Sequence, residues 1–90
     1  MKTHHMTHPE IVNRLRRIEG HVAKIAAMIG GGSPCTEVAQ QMQAAESAMT
    51  SAKRAFVEDH IEHCFDEETL RHPRQLHEAI AQFRQIAKYL

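Results

Sequence analysis

Residues 35–64 read CTEVAQQMQAAESAMTSAKRAFVEDHIEHC, and neither Gly nor Pro occurs from Cys35 until Pro73. Nothing in that stretch breaks a helix. Thr36–Cys64 is therefore expected as one continuous helix, with its ends roughly 43 Å apart at about 1.5 Å rise per residue. His60 and Cys64 stand four residues apart on one face, with His63 beside them. A His-x-x-x-Cys pair of this kind can grip one metal ion from a single helical turn. Cys35 opens the same helix at its far end, so one chain cannot bring it to the pair. Antiparallel packing against a second copy would set Cys35 of one chain beside His60 and Cys64 of the other, and a two-fold axis would make two such sites per dimer. The spacing points to a metal site built between subunits. A plainer account takes the two cysteines as small apolar residues and the histidine as surface.

Working outward, Pro9 suits a first helical position. Ile11, Leu15, Ile18, Val22, Ile25 and Ile29 then recur at spacings of four and three, an apolar stripe of helical period. This first helix is expected from about Pro9 to Ile29. Gly30-Gly31-Gly32-Ser33-Pro34 ends it and turns the chain. Val38, Met42, Ala45, Met49, Ala52 and Phe56 give the second helix its stripe, and His60 and His63 continue that stripe. Pro73 opens a third helix to about Tyr89, with Leu76, Ile80, Phe83, Ala87 and Leu90 on one side. Asp66, Glu67 and Glu68 in the connector read as capping or solvating residues. No segment alternates as a strand does, so the fold is all-α: a helical hairpin plus a shorter third helix. The second helix outruns the first, and its uncovered Ala/Met surface predicts oligomerisation.

Ninety residues make one small domain, 1–90, led by a His-rich arm, 1–8, and chains of this size often need a metal or an oligomer for stability. Three Phe, one Tyr and no Trp leave the packing to aliphatic residues and Met. No apolar run is long enough to span a membrane, and the N-terminus has no apolar signal region. A cytoplasmic protein is expected, in which two cysteines serve as thiolates rather than as a structural bridge. Eleven basic residues balance eleven acidic ones, which rules out a general polycation. The charge is uneven, however: Lys2, Arg14, Arg16, Arg17 and Lys24 stand against Glu10 and Glu19 in residues 1–29. Any nucleic-acid binding must use such a patch.

Arg14, Arg17, His21 and Lys24 share one face of the first helix, with Arg16 nearby. That face is either a solvated surface or a row of phosphate contacts, which Lys53 and Arg54 could extend. His4, His5 and His8 are either a plain tail or a source of a further nitrogen ligand from the arm. No helix-turn-helix or zinc-finger spacing is present. No Ser/His/Asp order, P-loop or paired-carboxylate motif appears either, so an enzyme is not expected.

Arg14-Leu-Arg-Arg-Ile-Glu-Gly-His21, Cys35, Gln40-Gln-Met-Gln-Ala-Ala45, Asp59-His-Ile-Glu-His-Cys64 and Ile86-Ala-Lys-Tyr-Leu90 together resemble the CsoR/RcnR family of metal-sensing repressors over nearly the whole chain. The resemblance implies an antiparallel dimer of three-helix protomers that assembles into a disc-like tetramer. It implies sites that take a Cys from one protomer and a His plus a Cys or His from its neighbour. It also implies an apo-protein that binds the operator of an efflux operon and is released by metal. Carried onto this sequence, Cys35, His60 and Cys64 match the Cys-His-Cys set of copper(I) members. Nickel and cobalt members add an N-terminal His; here that position is Thr3, with His4 and His5 next to it. Copper members tend to have a Tyr before the first Cys and a Glu on the last helix, where this chain has Pro34 and Ile80, with Glu78 two residues earlier. A formaldehyde sensor would carry Pro in place of Lys2, and a persulfide sensor would not use His60.

These features lead to a metal-responsive transcriptional repressor. One transition-metal ion per protomer is expected, Ni(II) or Co(II) first and Cu(I) as the alternative. Its ligands would be Cys35, His60, Cys64 and His4 or His5, with His8 and His63 as lesser candidates. Arg14, Arg16, Arg17, Lys24, Lys53 and Lys88 would face operator DNA. A cytosolic metal buffer or chaperone, or a thiol or persulfide sensor, is the alternative of another class.

Overall fold

A computed structural model describes residues 7–90 and, at His63 and Cys64, the helix backbone. Four helices follow in order: α1 His8–Gly30, α2 Cys35–Cys64, α3 Glu67–Arg71 and α4 Pro73–Ala87. There is no strand among the described residues. The expected helices are present, each starting within a residue of its expected first position. The connector adds α3, a five-residue turn. Its cause is Asp66, whose Oδ1 accepts the Thr69 N–H at 2.8 Å, a side-chain N-cap for an otherwise unsatisfied donor.

α1 begins with a reciprocal cap. Thr7 Oγ1 accepts the Glu10 N–H at 3.4 Å, and Glu10 Oε2 accepts the Thr7 N–H at 3.3 Å. The helix therefore starts at His8, inside the expected arm. Its far end is released at Gly31 and Gly32. Gly32 holds φ +77°, a conformation that costs Gly least, and a Cβ on Gly31 would press to 3.2 Å from the Ala27 carbonyl oxygen.

α1 and α2 pack as an antiparallel hairpin in a molecule 58 × 24 × 20 Å. The packing divides each expected apolar stripe in two. On α1, Ile11 and Ile25 are buried and Arg14, Ile18, His21 and Met28 half-buried. On α2, Ala45, Ala52 and Asp59 are buried and Val38, Gln41, Ala48 and Ala55 half-buried. Both series step by three and four, the heptad seam of two crossing helices. The rest of each stripe is left outside: Leu15, Val22 and Ile29 on α1, with Met42, Met49 and Phe56 on α2, between 37% and 60% exposed. Four alanines, Ala45, Ala48, Ala52 and Ala55, let the helices approach closely, which leaves the longer side chains flanking the seam. Ala52 is 1% exposed. Ala52→Leu is accordingly expected to destabilise the fold by about 1–3 kcal/mol through overpacking, read from the midpoint of urea unfolding.

α4 folds back beside the end of α2. Ala79 is buried and Leu76, Phe83 and Ile86 are half-buried, while Ile80 and Leu90 of the expected stripe are exposed. Phe65 and Phe83 meet edge to face at 5.9 Å between ring centres.

Candidate metal centre and DNA face

Cys35 is the first residue of α2 and exposed. It borders a groove of about 480 Å³ with Ile29, Val38 and Met42. His60 is half-buried near the other end of the same helix. Twenty-five helical steps separate them, roughly 37 Å. No group of three or more His, Cys, Asp and Glu that could hold a metal lies together among the described residues. The two expected ligand positions thus stand at opposite ends of α2, out of reach of each other within one chain.

Cys35 and His60 nevertheless share a face. At about 100° per residue, Cys35, Met42, Met49 and Phe56 form one heptad row, and His60 lies within about 40° of it. This row is the exposed ridge of α2, distinct from the seam that holds α1. Beside it, Ile11, Leu15, Met49, Ala52, Lys53 and Phe56 line an apolar cleft of about 290 Å³. Thiol and imidazole donors therefore sit at the two ends of an uncovered apolar strip, whose middle is formed by Met42 and Met49.

His8 stands at the His60 end. Its Nε2 lies 2.7 Å from Asp59 Oδ2, within ion-pair distance, and its ring stacks on Phe56 at 5.8 Å. His4 and His5 lie outside the described residues. Cys64 is the last residue of α2, and only the backbone is described there and at His63. Asp59 is a residue that reading the sequence passed over. Its signal was the continuation of the Ala45, Ala52 register by one more heptad, onto the side of α2 that faces α1.

The basic residues divide. Arg14, Arg17 and His21 line one recess of about 240 Å³ with Ile18 and Ala48. Its back wall is tied across the seam by His21 Nε2 and Gln41 Oε1, 2.7 Å apart. Lys24 continues that flank of α1, exposed. This basic flank and the Leu15, Val22, Ile29 ridge lie on opposite sides of the seam. Arg16 is exposed on the outer side of α1. Lys53 borders the apolar cleft. Arg54 joins a polar recess with Glu46, Ser47, Thr50 and Ser51. Lys88 extends over the Tyr89 ring at 5.4 Å, at the chain's other end. Of the six expected DNA contacts, Arg14, Arg17 and Lys24 share a surface.

Among the described residues no helix is long and apolar enough to cross a membrane. A family model described as a metal-sensitive transcriptional repressor matches residues 7–88. The chain is 38% identical over 55 residues to the copper-sensing transcriptional repressor CsoR of Bacillus subtilis (strain 168), covering 61% of this chain and 54% of that one. It is 41% identical over 51 residues to the copper-sensing transcriptional repressor RicR of Mycobacterium tuberculosis (strain ATCC 25618 / H37Rv), covering 57% and 53%. The chain spans about half the length of the curated relatives it matches. The solved structure of the nickel-responsive transcriptional regulator InrS superposes with a TM-score of 0.81 at 25% identity, covering 99% of this chain and 98% of that one.

Proposed function

The chain belongs to the family of metal-sensitive transcriptional repressors, and on that premise we propose that it holds the operator of a metal-efflux operon as apo-protein and leaves it on binding Ni(II) or Co(II). One observation carries the proposal: Cys35 and His60 sit at opposite ends of a single exposed apolar ridge on α2. Two copies packed antiparallel along that ridge bury Met42, Met49 and Phe56, and they bring Cys35 of each chain to His60 and Cys64 of the other. Among the described residues only Ile11, Ile25 and Val57 are large apolar side chains buried within one chain, a small core that a second copy enlarges. Further pairing of dimers into a tetramer follows the family pattern. Work on DNA places the protein in the cytoplasm.

Late first-row divalent ions accept mixed thiolate and imidazole donors, and nickel(II) favours four of them in a plane. His4 or His5 is the fourth donor. Thr7 stands at the His60 end of the hairpin, and the two or three residues back to His5 or His4 could span about 7–11 Å if extended. The Cu(I) alternative needs Cys35, His60 and Cys64 alone, and two of the similar proteins are named for copper sensing. Absorption during titration of apo-protein separates them. A thiolate-to-metal charge-transfer band with square-planar Ni(II) features supports the first reading, and Cu(I) binding with no Ni(II) band supports the second.

The Arg14, Arg17 and Lys24 flank is the proposed DNA face, with Arg16, Lys53 and Lys88 as outlying contributors. Each phosphate contact contributes about 0.9 to the slope of log affinity against log salt. In a tetramer Arg17→Ala is expected to flatten that slope by about 1 or more and to weaken operator binding, with metal affinity unchanged. The check is fluorescence anisotropy across a salt series, with upstream DNA and random duplex side by side. Apo-protein with equal affinity for both duplexes at physiological salt would overturn the repressor reading in favour of a metal buffer.

A further inference from the structure

α1 is one unbroken helix from His8 to Gly30, held at its two ends by unlike devices. At the Gly end it meets Gly31 and Gly32, the latter at φ +77°, where the backbone turns with the least restraint. At the other end His8 Nε2 lies 2.7 Å from Asp59 Oδ2, within ion-pair distance, and the His8 ring lies on Phe56. The Asp59 side chain is 7% exposed and that of His8 65%. The carboxylate is thus fixed in the packed seam, and the imidazole reaches in from the helix start. Asp59 precedes His60 directly in α2. Asp59 faces α1, and His60 lies towards the ridge with Cys35, Met42 and Phe56.

We propose that the His8–Asp59 contact is the strut through which the ligand-bearing end of α2 positions α1 and, with it, the Arg14–Arg17 recess. This rests on the metal-responsive repressor reading. Residues 59 and 60 belong to the same turn, so ligation that reorients His60 moves the Asp59 carboxylate with it. The carboxylate holds the first turn of α1. A rigid helix hinged at glycine and held at its tip converts a small shift at the tip into a tilt along its length, and Arg14 and Arg17 lie within the first three turns. His8 is in this role a positioning residue: it acts on DNA binding through the pose of α1.

The test measures operator affinity with and without saturating metal, Ni(II) and Cu(I) in separate series, for wild type, His8→Ala and His8→Gln. His8 is largely exposed, so its replacement is expected to leave the helical content intact by circular dichroism. Allosteric factors of this kind commonly run from about 5 to 150-fold. His8→Ala is expected to cut the wild-type factor by about five-fold or more. Metal affinity without DNA, and DNA affinity without metal, should both stay within about three-fold of wild type. His8→Gln, which keeps an N–H donor of similar reach, is expected to restore most of the factor. A His8→Ala protein that keeps the wild-type factor, or that loses it only because metal no longer binds, overturns the strut while leaving the repressor reading standing. Failure of His8→Gln to restore it also overturns the strut. A wild-type protein whose DNA affinity ignores both metals overturns the repressor reading and the strut together.

Discussion

Cys35→Ala is expected to abolish tight metal binding, with a loss of more than about 100-fold, beyond the 10–100-fold that partners outside the ligand set are worth. The same loss follows Cys64→Ala. Cys35 is exposed at the start of α2, so its replacement opens no cavity and the helical content should persist. The sharper result comes from mixing. Neither variant binds alone, but a Cys35→Ala chain still offers His60 and Cys64, and a Cys64→Ala chain still offers Cys35. Random reassortment makes about half of the dimers mixed, each with one intact site of two, so about a quarter of the wild-type sites return. Equilibrium titration after co-refolding reads this fraction. A mixture that stays as inactive as its components would exclude a site shared across the pairing proposed here.

Met49→Glu is expected to dissociate the assembly. Met49 is 49% exposed in one chain and lies near midway between Cys35 and the His60/Cys64 pair, where an antiparallel two-fold axis must pass. Two glutamates would meet there, stripped of water and like in charge, at a cost of several kcal/mol. At micromolar concentration the protein should sediment as monomer, melt at a lower temperature and bind metal weakly, because folding and pairing are linked by mass action. Ser47→Glu, on the polar recess with Arg54, is the matched control and should leave assembly intact. A Met49→Glu protein that sediments as wild type and keeps its metal affinity would place the dimer interface elsewhere.

Helix order, the Gly-rich turn and the separation of Cys35 from His60 were legible in the residues, because they depend on local rules. Gly30–Gly32 and Pro34 stop a helix whatever surrounds it, and about 1.5 Å per residue puts Cys35 and His60 out of reach of each other in any fold that keeps α2 straight. α3 was missed as a helix because a five-residue turn carries no periodicity, although Asp66 three residues before Thr69 was the available sign of its cap.

What only the tertiary structure decided is which side of each helix faces which neighbour. Apolar residues at spacings of three and four define a broad arc, and on both α1 and α2 that arc is wide enough for two contacts. The small side chains of Ala45, Ala48, Ala52 and Ala55 admit α1 at close range, so the seam runs along them. Leu15, Val22, Ile29, Met42, Met49 and Phe56 are displaced to a second, exposed face. The same choice of seam turns Asp59 towards His8, gathers Arg14, Arg17 and His21 into one recess, and leaves Arg16, Lys53 and Lys88 apart from it. Periodicity in a sequence records that a helix has an apolar side. How that side is divided between one partner and the next depends on side-chain volume at the point of closest approach, which exists only once the helices are packed.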